Sequence, residues 1–268
     1  MRIHVVHMNV KKKYLEIALL LSACTFILIL AYQAQGEGYQ SCIASRVYST
    51  PENTFECGNY YFGVYGSENY DVKKAERYFE KTIALDPSTP DVWHQYARTA
   101  FLRGDFAVAL FRINQQLERR GDELMAAYYI RGLIYGYAKN YEMAEKDFLK
   151  FLEWSPTNWA ANNDLAWIYF AQGKYKEAAA QVEPMLLRDP YNVWILVMHA
   201  MAVYNLGDVA TAKRELTLAK HAAQGLEERH WMLAYPGNDP RLASEGLTNF
   251  REAIERNLVL VNSSTSPE

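Results

Sequence analysis

The sequence predicts an all-α protein: a stack of helical hairpins with a nearly constant repeat, closed by C-terminal capping helices and preceded by one membrane-spanning helix. Three observations carry this expectation. An alanine recurs in equivalent surroundings at positions 75, 109, 144, 178 and 212, in steps of 34, 35, 34 and 34 residues. Prolines and turn residues recur in register with that alanine. Near the N-terminus, an uncharged apolar run follows a basic flank.

The columns around the alanine define two helices per repeat. Four residues after it stands a large apolar side chain: Phe79, Ile113, Phe148, Val182 and Leu216. Turn residues precede it at Gly104-Asp105, Lys139-Asn140, Gly173-Lys174 and Gly207-Asp208, and Gly or Asn there accepts the left-handed backbone that ends a helix. Asp86-Pro87, Ser155-Pro156 and Asp189-Pro190 stop the second helices, because proline cannot continue the helix it follows. Small residues at Gly63, Ala97, Gly132, Ala166 and Ala200 sit in the middle of the first helices and allow close approach of the second. The single longer step fits one extra residue in Arg119-Arg120-Gly121-Asp122.

At these residues the chain resembles the tetratricopeptide repeat family, over about residues 56–225. The resemblance implies about five helix-turn-helix units stacked in a right-handed superhelix. Each buries its apolar face against its neighbours, and the first helices line a concave surface. Beyond the array, Leu226 to Tyr235 reads as a further first helix, broken by Pro236-Gly237-Asn238-Asp239-Pro240. Arg241 to Leu260 reads as a terminal helix, with apolar positions at Leu242, Leu247, Phe250, Ile254, Leu258 and Val261 close to helical spacing. Residues 226–268 are therefore capping helices and a tail, with disorder expected from Asn262 to Glu268.

Charge and hydropathy divide the N-terminal region. Residues 1–13 carry Arg2, Lys11, Lys12, Lys13 and no acid. The rest of the chain holds 24 basic and 31 acidic side chains. A net charge of −7 over that remainder is poorly suited to a phosphate backbone, which excludes nucleic acid as the expected partner. Residues 14–34, with an uncharged stretch from Ile17 to Tyr32, fit a signal anchor of spanning length. Cleavage after Ala34-Gln35-Gly36, or lipidation at Cys24 within Leu21-Ser22-Ala23-Cys24, are competing fates. All three keep the basic flank in the cytoplasm and put the bulk of the chain outside it, in the periplasm or extracellular space. Residues 35–55 read as a juxtamembrane linker. Cys42 and Cys57 flank a loop-like stretch and are expected to form a disulfide in an oxidising compartment.

Taking one face of each first helix, the groove is expected to carry Arg98, Tyr129, Asn163, Trp167, Trp194, Val197 and Met201, with His94, Phe101, Leu133, Tyr137, Phe170 and Tyr204 beside them. This aromatic, mostly uncharged surface suits a peptide or protein with apolar anchors. Relatives that hold the C-terminal carboxylate of chaperone tails use a Lys/Asn/Arg clamp. The matching faces here carry Arg98 but then Ile130, Ala160 and Asp164, so the clamp is not formed. The chain has no metal-binding His-Glu-x-x-His, no phosphate loop and no nucleophile elbow, so neither catalysis nor a cofactor is expected. The expectation is a non-enzymatic scaffold anchored in the cell envelope. Assembly of a surface machine such as a pilus or secretion system, or a lipoprotein adaptor role, follows by family analogy alone.

Overall fold

The computed structural model describes residues 36–63, 69–235 and 238–263, and every regular element among them is a helix. In chain order these are α1 (Gly36–Val47), α2 (Pro51–Tyr61), α3 (Val72–Leu85), α4 (Val92–Leu102), α5 (Phe106–Arg120), α6 (Ala126–Tyr137), α7 (Tyr141–Trp154), α8 (Trp159–Ala171), α9 (Tyr175–Arg188), α10 (Val193–Asn205), α11 (Val209–Ala223), α12 (Glu228–Ala234) and α13 (Ala243–Ser263). Consecutive helices from α2 to α11 pair as five antiparallel hairpins, and each hairpin packs on the next. The result is a superhelical array. The expected basic flank (1–13), signal anchor (14–34) and Cys24 fall outside the described residues. Among the described residues, no helix is long and apolar enough to cross a membrane.

The second-helix columns form the core. Ala75, Ala109, Ala144, Ala178 and Ala212 are fully buried, as are Phe79, Ile113, Phe148, Val182 and Leu216. Each large member of the column contributes about 1.5–3 kcal/mol by leaving water. The alanines keep the two helices of a hairpin close enough for that burial. A bidentate ion pair adds specificity within the third hairpin and reaches the second: Arg131 on α6 donates from Nε and Nη2 to the Asp147 carboxylate on α7 at 2.7 and 2.8 Å, and from Nη1 to Asn114 on α5 at 3.0 Å.

The hairpin turns follow their chemistry. Gly104, Gly173 and Gly207 take positive φ, as does Lys139 at 61°. In Lys139-Asn140 the lysine, not the asparagine, adopts the left-handed conformation, and Asn140 instead caps α7 by accepting from the Met143 N–H. Asp105 and Asp208 cap α5 and α11 in the same way.

The first hairpin departs from the expected register. From residue 36 the stretch expected as a linker is helical: α1 occupies most of it and packs on α2, which already begins at Pro51. Ser-Thr-Pro-Glu-Asn-Thr is a helix start rather than a loop. Thr50 and Asn53 form a reciprocal capping box, and Pro51 supplies the pre-set φ of a first helical position. The array therefore starts at 51 rather than 56. Gly63 lies beyond α2 with φ of 79°, so it does not fill the mid-helix column. Gly58 takes that role, and a Cβ there would stand 2.4 Å from the Phe79 ring. A disulfide joins Cys42 on α1 to Cys57 on α2, with 4.6 Å between their Cα atoms.

At the other end, Leu247, Ile254, Leu258 and Val261 of α13 are buried, and the last three complete the core cluster of the fifth hairpin. Arg251 donates to the carbonyls of Ala223 and Leu226 at 3.0 and 2.7 Å, satisfying the C-terminal end of α11 with a cation. Leu242 is exposed and precedes α13. Asn262 and Ser263, expected to be disordered, complete its last turn.

Candidate functional site

The first helices α4, α6, α8 and α10 project residues at three- and four-residue spacing onto one side of the array, because that spacing returns to the same helix face. There they enclose a cavity of about 330 Å³. Helix α4 contributes His94, Arg98, Phe101 and Leu102. Helix α6 contributes Ala126, Tyr129, Ile130, Leu133 and Tyr137, α8 contributes Trp159, Ala160, Asn163 and Asp164, and α10 contributes Trp194. The remaining wall comes from the end of α12 and the chain after it, through Ala234, Tyr235 and Asn238.

That last wall ties the two ends of the array together. A second cavity, of about 560 Å³, lies between Tyr70, Val72, Lys73, Leu102 and Arg103 of the first two hairpins and Trp231, Asn238, Asp239, Leu242, Glu245, Gly246 and Asn249 of the C-terminal segment. Aromatic contacts hold the C-terminal segment to the fourth and fifth hairpins. Trp194 stacks on Phe250 with ring centroids 5.5 Å apart, and Trp159 packs on Trp194 at 5.5 Å. Trp231 lies so close to Gly246 that a Cβ there would fall 2.4 Å from its ring.

The polar groups of the first cavity sit in low dielectric. Asp164 has its carboxyl raised to about 6 by burial, partly offset by the Tyr129 hydroxyl, which donates to Oδ2 at 2.6 Å. The Tyr129 hydroxyl is in turn pushed far up by burial and by the neighbouring carboxylate. His94 is lowered to about 3 by burial and by the charge of Arg98, so its ring is neutral at any physiological pH. Arg98 is lowered to about 10 by burial and stays cationic. It donates to Gln95 at 2.7 Å and lies over the Phe62 ring at 4.9 Å. Beside the cavity, Asn163 Oδ1 and His94 Nδ1 are buried without a hydrogen-bond partner.

Of the groove residues read from sequence, the structure brings Arg98, Tyr129, Asn163 and Trp194 into this one cavity, with His94, Phe101, Leu133 and Tyr137. It places three elsewhere. Trp167 packs on Gly136 and on the Tyr137 ring, 5.3 Å between centroids. Val197 and Met201 pack on the core cluster that α13 completes, because the terminal helix needs an apolar partner and the fifth hairpin supplies it. Phe170 packs on Tyr175, and Tyr204 joins the same terminal cluster. The face read from sequence as lacking the clamp, with Ile130, Ala160 and Asp164, also lines the cavity, whereas Trp159 was missed. Trp159 stands four residues before Asn163, so the α8 face alone could have revealed it. The C-terminal contribution had no such signal. Among the described residues, no three His, Cys, Asp or Glu gather as metal ligands.

An array of helical hairpins with an aromatic-walled concave face defines a helical-repeat fold. Two family models, each described as a tetratricopeptide repeat, match residues 137–190 and 164–228, from the second helix of the third hairpin through the fifth hairpin. No curated protein sequence matches the chain. Among solved structures, YrrB, titled a TPR protein with an unusual peptide-binding site, superposes with a TM-score of 0.56 at 14% identity, covering 74% of this chain and 97% of that one. A double mutant of MamA gives 0.58 at 14% identity over 66% and 97%. The Cut9–Hcn1 hetero-tetramer gives 0.57 at 15% identity over 84% of this chain and 44% of that one. These are likenesses of fold.

Proposed function

We propose that this protein is a non-catalytic scaffold that binds a peptide or protein partner in its concave face and is tethered to the cell envelope by its N-terminus. The observation that carries the binding role is the cavity itself. Four consecutive first helices turn aromatic and polar groups onto one enclosed surface, and buried polar atoms there are left unsatisfied. Conserving fold stability alone would favour an apolar filling, since unpaired buried polar groups cost about 1–3 kcal/mol each. The fold's likeness to YrrB, described as a TPR protein with an unusual peptide-binding site, supports the same reading.

The tether and its side of the membrane rest on the basic flank, on the uncharged run from Ile17 to Tyr32 and on the Cys42–Cys57 disulfide, which persists in oxidising compartments. Two measurements test the proposal. A reporter that is active only in the cytoplasm, fused to the C-terminus, should be silent; activity would rule out export. Partner recovery with the full chain should fall when Ala160→Arg fills the cavity, and unchanged recovery would place binding elsewhere.

A further inference from the structure

Asp164 is a half-buried carboxylate at the cavity wall, held by one side-chain hydrogen bond and by no cation. The Tyr129 hydroxyl occupies Oδ2. Among the described residues no Lys, Arg or His forms an ion pair with it. A buried charge without a counter-charge is costly, and structural carboxylates in this same chain avoid the cost: Asp147 is buried against the fork of Arg131. Asp164 differs from Asp147 in lining a cavity, and the cavity walls are rings. Aromatic rings exclude water from a charge and can present their negative faces to a cation.

We propose that this cavity receives the alkylammonium tip of a lysine side chain on the bound partner, with Asp164 as its counter-charge and Tyr129, Tyr137, Trp159, Trp194 and Tyr235 as its walls. The proposal rests on the partner-binding role described above and names what that site recognises. Charge selects a cation. Tyr129 already takes one lone pair of Oδ2, and an ammonium, a point charge with three rotatable donors, can use the remaining lone pairs without the fixed planar approach that a guanidinium fork needs. The buried Asn163 Oδ1 beside the cavity, and an acceptor nitrogen on the neutral His94 ring, extend the acceptor surface toward the remaining ammonium hydrogens. The volume, about 330 Å³, suits a side chain rather than a length of backbone. Arg98, the other charged group of the cavity, stands two hairpins away on α4, held by Gln95 and the Phe62 ring, and does not contribute to the shift of Asp164.

The groups sharing the cavity with Asp164 are Tyr129 and Tyr137 from α6, Tyr235 from the C-terminal wall, and His94 and Arg98 from α4. His94 is already neutral at pH 5, and the other four keep their charge state from pH 5 to 8, so Asp164 alone sets the acidic limb of binding. The test uses the full chain and the fluorescence of the tryptophans lining the cavity. It is titrated with acetyl-lysine methylamide, with the norleucine analogue of the same stem, and with the arginine analogue. At pH 7.5 the lysine probe should bind at least about tenfold more tightly than either other probe. That preference should vanish below about pH 5 and in Asp164→Asn. In Tyr129→Phe the preference should persist, with its pH midpoint moved upward, because the removed hydrogen bond favours the ionised carboxyl. Equal binding of the norleucine probe, a lysine preference that survives Asp164→Asn, or no lysine-probe binding by a chain that still recovers its partner in a cavity-dependent way would each overturn the lysine assignment while leaving the scaffold reading intact. Loss of cavity-dependent partner recovery would instead remove both.

Discussion

Replacing Asp164 with Asn should stabilise the folded protein at neutral pH and leave it unchanged in acid. Burial raises the Asp164 carboxyl from its ordinary 3.8 to about 6. A group whose folded-state pKa lies above its unfolded value favours folding most while both states hold the proton. Below pH 3.8 the substitution should therefore have no effect through this route. Between 3.8 and 6 the unfolded chain releases its proton before the folded one, and wild-type stability falls relative to the variant. Above 6 the gap is constant. A shift of about two units at ~1.4 kcal/mol each sets its size on the order of 3 kcal/mol. For an array of this size that is a rise in Tm of about 6–10 °C. The asparagine keeps an acceptor for the Tyr129 hydroxyl, so little is lost elsewhere. Urea and thermal unfolding of both proteins at pH 4, 6 and 7.5 would measure it. A destabilised Asp164→Asn at pH 7.5, or a difference that does not change with pH, would refute the reasoning and make Asp164 an ordinary structural carboxylate.

Other substitutions probe the frame that holds the cavity. Cys42→Ser removes a cross-link spanning 15 residues and should cost about 3 kcal/mol, a loss that a reductant reproduces in the wild type but not in the variant. Phe148→Ala, at a fully buried position of the repeat column, should cost about 3–5 kcal/mol in urea unfolding, whereas Phe111→Ala, 62% exposed, should change stability by under about 0.5 kcal/mol. Asp147→Ala strands the Arg131 guanidinium and should cost about 3–5 kcal/mol, and the double replacement Arg131→Met with Asp147→Leu should recover most of that. Arg251→Met uncaps α11, and hydrogen exchange should quicken at the end of α11 and in α12 while the first hairpins keep their protection.

The repeat was legible because its signal falls on fully buried residues. The alanine at 75, 109, 144, 178 and 212 and the large side chain four residues later have no freedom in size, so a single sequence displays the period. The first hairpin was misread because the residues that cap a helix are those that build a loop. Thr50-Pro51-Glu52-Asn53 is a helix start, and only its capping box distinguishes the two. The mid-helix column then slipped by five residues, from Gly63 to Gly58, with Phe79 as the ring that enforces it. In the site, helical spacing identified the face that bears Arg98, Tyr129, Asn163 and Trp194. It could not reveal what folds over that face. Val197 and Met201 lie on the expected side but pack on the cluster completed by the terminal helix. Tyr235 and Asn238 enter the cavity from a segment with no repeat signal at all. Asp164 was visible as a departure from the chaperone-tail clamp. Its meaning required the burial and the aromatic walls that only the assembled helices provide.

The central claim is that this array binds a partner through its concave cavity. Tyr137 and Phe111 are both exposed aromatic residues, one lining the cavity and the other on the second helix of its hairpin. Both are exposed enough to accept the larger, photoreactive benzoyl-phenylalanine. Irradiation of intact cells should cross-link a partner from position 137, with Ala160→Arg suppressing the product, and give none from position 111. Cross-links from position 111 alone, or equal yields from both positions, would contradict binding through the cavity.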